Sequence, residues 1–110
     1  MANPLPTISS HVLDTSRGQP AAGLSITVSK VGANGPETAI GTATTDADGR
    51  IADLLGRPLE TGTYRLRFEL GDRSAFFAAL SVDIVIDDVR RSYHVPLLLS
   101  PFGLSTYLGS

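Results

Sequence analysis

The sequence contains no cysteine and only two histidines, His11 and His94. The lack of cysteine excludes disulfide frameworks, thiolate metal sites and thiol nucleophiles. Any catalysis must therefore use oxygen, imidazole or guanidinium groups. An imidazole can titrate near neutral pH and serve as a general base, so both histidines are candidates for acid–base chemistry.

Long apolar runs and clustered charges are also missing. No stretch approaches the roughly 20 apolar residues of a membrane span, and the first residues lack the basic and apolar regions of a secretory signal. The nine basic residues are scattered and the net charge is -2, unlike the charge pattern of a nucleic-acid binder. We therefore expect a cytoplasmic protein with no nucleic-acid or membrane partner, whose partners are small molecules or other protein chains.

The 110 residues suit one compact domain, which would bury about 65% of the surface of the unfolded chain. Residues 1–7 carry two prolines and no periodicity, which predicts an irregular N-terminal lead-in. Residues 8–110 would then form a single domain.

Turn clusters at 14–20, 32–36, 45–49 and 71–73 divide the chain at the close intervals typical of a β-sandwich or a closed β-sheet. Between them, apolar and polar residues alternate at 24–29, 64–70 and 82–87, which predicts half-buried strands. Residues 74–80 have a helical composition but are few, so we expect a minor helix or an irregular crossing there.

The segment 92–99 carries apolar groups on both of its alternating faces. One face suits a sandwich core, and the other, which includes His94 and Leu98, needs a partner subunit or a ligand to cover it. Pro96 cannot donate a ladder hydrogen bond, which predicts an edge or a bulge. A lone histidine in a strand is more often structural, but on such a face a polar ring needs a hydrogen-bonding role.

The C-terminal segment 103–110 also alternates, with Leu104, Thr106 and Leu108 opposite Ser105 and Tyr107. This pattern predicts a last strand or a docked terminus.

Residues 45–50 begin like a calcium loop but lack its later ligands in register. A tight turn with Gly49 at positive φ is the better interpretation, and this turn could aim Arg50 at an anion or a developing oxyanion. Ser10 is next to His11, but neighbours on a strand point to opposite faces and cannot form a nucleophile–base pair. Because no serine elbow, metal-ligand spacing or phosphate loop occurs, activated water is the remaining nucleophile.

Several motifs in this order resemble the 5-hydroxyisourate hydrolase, or transthyretin-like, family. The motifs are His11-Val-Leu-Asp14, Gly18-Gln-Pro-Ala-Ala-Gly23, Thr45-x-x-Asp-Gly-Arg50, Gly62-Thr-Tyr-Arg65 and Tyr93-His-Val-Pro-Leu-Leu-Leu-Ser-Pro101. The resemblance covers nearly the whole chain. It implies an all-β, transthyretin-like (prealbumin-type) β-sandwich of seven or eight strands with at most one short helix, assembled as a homotetramer, a dimer of dimers with active sites in the channel between the dimers.

The resemblance also implies an activity, namely hydrolysis of 5-hydroxyisourate in urate catabolism, by attack of activated water on a ring carbonyl and without a cofactor or metal. We expect His94 to take the proton from water, His11 to hold or polarise the substrate, and Arg50 to stabilise the anionic ring. The predicted catalytic residues are His11, Arg50, His94 and Ser110, and the predicted substrate-binding residues are Thr106, Tyr107, Leu108 and Gly109. Alternation would place Thr106 and Leu108 on the channel face.

Two departures from the family pattern bear on this expectation. Leu108 stands where the family tail Tyr-Arg-Gly-Ser has arginine, which we expect to alter activity. The segment 64–76 is several residues shorter than usual, so we expect the helix to be reduced or lost. The alternatives are a relative redirected to another small cyclic substrate and a non-catalytic channel that binds an apolar ligand.

Overall fold

Residues 5–110 are described in a computed structural model, and they form two β-sheets. Residues 1–4 of the predicted lead-in lie outside the described residues, and residues 5–7 have no regular structure. Over residues 5–110 the strands are β1 Ile8–Asp14, β2 Gln19–Pro20, β3 Ser25–Val31, β4 Glu37–Thr44, β5 Arg50–Ile51, β6 Gly62–Glu69, β7 Ala79–Ile86, β8 Tyr93–His94, β9 Leu97–Ser100 and β10 Gly103–Thr106. The predicted all-β sandwich is confirmed.

The first sheet has β1 at its centre. Its main order is β10-β9-β1-β2, with β5 and β8 also pairing with β1. The pairings of β1 with β8 and β9 are parallel, and the pairings with β2 and β5 are antiparallel. The second sheet has the order β4-β3-β6-β7 and is antiparallel throughout. One central strand therefore contacts segments from both ends of the chain.

The hydrophobic core lies where the inner faces of the strands meet. Alternation in β6 buries Tyr64, Leu66 and Phe68 and leaves the arginines between them on the other face, as predicted. From the first sheet, Ile8 and Val12 of β1 enter the same core. This packing leaves the outer face of β1 available for polar side chains.

The structure also differs from the expected strand pattern. Pro96 divides the predicted strand 92–99 into β8 and β9, and β2 and β5 are two-residue pieces, so the described chain has more segments than the seven or eight expected. The segment 74–78 is irregular, and the helix is reduced, over residues 5–110, to a 3-10 turn at Gly71–Arg73. None of the helical structure in residues 5–110 is long and apolar enough to cross a membrane.

Candidate active site

The site begins with the alternation of β1. Ile8, Ser10 and Val12 are buried, which turns Ser9 and His11 toward the outer face of the sheet. The Ser10 hydroxyl donates a buried hydrogen bond of 2.7 Å to the Val95 carbonyl. The prediction that Ser10 and His11 point to opposite faces is therefore confirmed.

The two neighbours of β1 bring further polar side chains to that outer face. Ser9 is in register with His94 of β8, and His11 is in register with Arg50 of β5. Residues directly opposite each other on paired strands share a face. His94, Ser9, His11 and Arg50 consequently lie side by side across three strands.

His94 is held by two neighbours, one at its ring and one at its backbone. Its Nδ1 lies 2.9 Å from the Ser9 hydroxyl, and the Gly109 amide donates a 2.7 Å hydrogen bond to the His94 carbonyl. A Cβ atom at position 109 would lie 2.7 Å from Cδ2 of the ring, so only glycine allows the tail to approach this closely. The ring lies at a shallow depression lined by Ser9, Arg50, Arg91, Ser92, His94, Gly109 and Ser110.

The His11 ring is held by the turn that precedes β5. Its Nε2 lies 2.9 Å from the Asp48 carbonyl oxygen, which can only accept, so Nε2 carries a proton and Nδ1 faces away from this bond. In the same turn the Asp46 carboxylate accepts hydrogen bonds from the amides of Asp48 and Arg50. Gly49 has φ +73°, as predicted for a tight turn. The turn thus positions both His11 and Arg50.

The electrostatic environment favours a neutral His94. Burial of the ring, followed by the charges of Arg50 and His11, lowers the pKa of His94 from its ordinary value of 6.5. A neutral imidazole at neutral pH can accept a proton, which is what a general base requires.

The C-terminal residues divide between two places. Gly109 and Ser110 line the depression at His94, whereas Thr106, Tyr107 and Leu108 line a separate groove with Val82, Ile84 and Val95. The expected face was wrong for Thr106, because it is in register with the buried Leu97 and so lies on the side of the sheet opposite His94. Leu108 follows the end of β10 and is 57% exposed. Substrate binding by Thr106, Tyr107 and Leu108 stays a prediction, and this placement does not support it.

Sequence reasoning missed three residues of the depression, Ser9, Arg91 and Ser92. The signal for Ser9 was present, since it shares the period-2 face of His11 on β1. Arg91 gave no comparable signal, because it precedes β8 in an irregular segment. Among residues 5–110, no three histidine, aspartate or glutamate side chains lie together in a way that could hold a metal ion.

A β-sandwich with two imidazoles and a guanidinium on the outer face of one sheet defines a class: small all-β proteins whose side chains can carry out acid–base chemistry. A sequence model of the HIUase/Transthyretin family matches residues 8–109, and the chain belongs to that family.

Proteins similar to this chain include 5-hydroxyisourate hydrolases and a transthyretin. The chain is 37% identical over 114 residues to a 5-hydroxyisourate hydrolase of Caulobacter vibrioides, covering 94% of this chain and 97% of the relative. The solved 5-hydroxyisourate hydrolase of Klebsiella pneumoniae superposes with a TM-score of 0.82 at 36% identity, covering 94% and 99% of the two chains. Sea bream transthyretin, solved with thyroxine, has a TM-score of 0.82 at 30% identity, with 93% of each chain covered.

Proposed function

We propose that the protein is a hydrolase that opens the ring of 5-hydroxyisourate in urate catabolism. The observation that carries the proposal is the row of His94, Ser9, His11 and Arg50 across β8, β1 and β5. The similarity to 5-hydroxyisourate hydrolases over nearly the full length of both chains supports the same substrate.

In this mechanism His94 is the general base. When its Nδ1–H donates to the Ser9 hydroxyl, the Nε2 lone pair is free to take a proton from water. The resulting hydroxide forms a bond to a ring carbonyl carbon, and Arg50 stabilises the charge that develops on the carbonyl oxygen. The adjacent ring C–N bond then breaks, and His94 returns its proton to the leaving nitrogen.

His11 has a different part, because the Asp48 carbonyl engages its Nε2. Its Nδ1 is left to contact the substrate, which suits a group that holds or polarises the ring. Ser110, which lines the depression at His94, completes the proposed catalytic group; His11 lies beside that depression, in register with Arg50.

A coupled spectrophotometric assay tests the proposal. Urate oxidase would generate 5-hydroxyisourate in place, and its decay would be followed with and without the protein. We expect the decay to accelerate in proportion to protein concentration, whereas an unchanged decay would contradict a hydrolase of this substrate.

The pH dependence of the reaction should report the lowered pKa of His94. Since His94 must be neutral to act as a base, the acid limb of kcat/KM is expected below pH 6.5. Arg50→Gln removes a positive charge and should shift the His94 titration upward, as measured by NMR of the imidazole Cε1–H. Arg90→Gln, which removes a charge outside the depression, is the control, and an equal shift in both variants would contradict the assignment.

The same pKa shift affects stability. A histidine whose pKa is lower in the folded than in the unfolded state binds fewer protons when folded. Its contribution to the free energy of unfolding is therefore fully present above pH 6.5 and declines as the pH falls from there toward the folded-state pKa.

The second candidate function is a non-catalytic channel that binds an apolar ligand. It is favoured by the apolar groove that Val82, Ile84, Val95 and Leu108 help to form, and by the likeness to transthyretin. The third is hydrolysis of another small cyclic substrate. The coupled assay separates these candidates, because only the leading one requires turnover of 5-hydroxyisourate.

We also propose that the protein assembles as a homotetramer, a dimer of dimers. Edge strands β7 and β10 flank the apolar groove, and Val85, Tyr107 and Leu108 are more than half exposed there. On the outer face, Leu13 and Leu98 are in register and only half-buried, so a second apolar surface is present. Light scattering should give a particle of four chains, and a monomer at micromolar concentration would contradict the proposal.

The cytoplasmic location stays a prediction, which cell fractionation would test.

A further inference from the structure

A second arginine, Arg91, lies between the depression at His94 and the neighbouring groove and lines both. Arg91 lines the depression together with Arg50, His94 and Ser110, although it lies outside every strand. We propose that Arg91 is a substrate-binding residue that captures the anionic ring and holds it against Arg50 and His94. This inference rests on the proposed function, because it assigns a further residue to the same site.

Arg91 is held in place by its neighbours in the chain. Its guanidinium lies 4.8 Å from the centroid of the Tyr93 ring, within range of a cation–π contact, and its Nε donates to the Ser92 carbonyl at 3.3 Å. Tyr93 is itself fixed, since it is only 6% exposed and its hydroxyl donates to the Asp88 carbonyl at 2.9 Å. A guanidinium stacked on a buried ring loses less freedom on binding an anion than a free side chain would.

The charge of Arg91 is also available to a ligand. Its neighbour Arg90 pairs with both carboxylate oxygens of Asp88, at 2.9 and 3.2 Å. Arg91 makes no ion pair within 4.0 Å among the residues that the structure describes. The two adjacent arginines thus differ, because Arg90 hydrogen-bonds to the Asp88 carboxylate, whereas Arg91 interacts with that carboxylate only at longer range.

Few other charged side chains line the depression to balance the charge of Arg91. Within the described part of the chain, no aspartate or glutamate side chain lines it, whereas Arg50 and Arg91 both do. Leu108 lies in the neighbouring groove and brings no charge to it. A concave surface that carries one sign of charge raises the local concentration of a ligand of opposite sign. The substrate class that fits is a small planar anion able to take the paired donors of a guanidinium.

The test compares Arg91→Gln with Arg90→Gln, two variants that lose the same charge at adjacent positions. For Arg91→Gln we expect KM for 5-hydroxyisourate to rise about tenfold with a smaller change in kcat, because the lost contact is made equally in the ground state and the transition state. The dependence of kcat/KM on salt should also weaken. Arg90→Gln should stay within about twofold of wild type, and Arg91→Lys should recover part of the loss because it keeps the charge.

A second readout, calorimetric binding of urate as an unreactive anionic ring, separates the two proposals. If wild type turns over and Arg91→Gln matches Arg90→Gln in KM and salt dependence, the role of Arg91 is overturned and the hydrolase proposal stands. If wild type has no turnover, the hydrolase proposal fails, and Arg91 is judged on urate binding. Binding that weakens in Arg91→Gln but not in Arg90→Gln would then support anion capture, and absent or equal binding would overturn it.

Discussion

Replacing His94 with alanine should lower kcat/KM for 5-hydroxyisourate by about two orders of magnitude or more while leaving the sandwich folded. The fold should be unaffected, because the His94 ring lies on the outer face of its sheet, whereas the core is formed by the inner faces. Alanine removes the group that would accept a proton from water, and the neutral hydroxyl of Ser9 cannot replace it, because a hydroxyl is a very weak base. Turnover in the coupled assay, with circular dichroism as the check on folding, measures the effect.

His11→Ala and Arg50→Ala should produce losses of similar size, and double variants should lose much less than the sum of the single effects, as for residues that act as a unit. Ser105→Ala, an exposed position on β10, is the control and should be silent. Near-normal turnover by His94→Ala, or a loss that merely follows unfolding, would show that the imidazole has a structural role.

Gly49→Ala should have the largest effect on stability. At φ +73° an alanine would have to take the left-handed backbone conformation, which is unfavourable for it. Its Cβ would also lie 2.5 Å from the Val12 carbonyl oxygen, a backbone atom of the central strand. The Val12 amide donates to the Gly49 carbonyl at 2.8 Å, so the turn cannot move away without breaking this bond. We expect the free energy of unfolding to fall by about 2–4 kcal/mol. For a chain of this size that loss corresponds to a decrease in Tm of about 10–20 °C.

Gly18→Ala provides a matched control for this prediction. Gly18 has a similar φ of +64°, but no atom lies within 4 Å of the Cβ that alanine would add. We therefore expect Gly18→Ala to lower the free energy of unfolding only by the cost of a left-handed backbone at alanine, about 1–2 kcal/mol. Equal decreases in Tm for the two variants would mean that the contact with Val12 contributes nothing.

Much of the fold could be predicted from short-range patterns. Alternation at 64–70 gave a strand with the correct buried face, and the turn at 45–50 gave the positive φ of Gly49. His11 and His94 were placed in strands because each lies in an alternating segment. These features depend on residues close together in the chain, which is why one sequence suffices to show them.

The parts that could not be predicted depend on pairing between distant segments. The face of Thr106 is set by the turn between β9 and β10, which pairs Gly103 with Ser100 and Thr106 with Leu97, and alternation within β10 does not specify that register. The contact between Ser9 and His94 depends on the register of β1 with β8, which no local pattern specifies. Arg91 enters the depression through an irregular segment, where periodicity has no meaning.

The parallel pairing of β1 with β8 also has a consequence for folding. Ser9 and His94 touch although 85 residues separate them, so this contact carries a large loop-closure cost and is expected to form late. During synthesis β1 leaves the ribosome long before β8 and β9, the strands that cover one of its edges. Until then that edge of β1 is open to pairing with other nascent chains, although β2 and β5 can already cover the other edge. The strand that carries Ser9 and His11 is therefore also a segment through which nascent chains can misassemble before folding is complete.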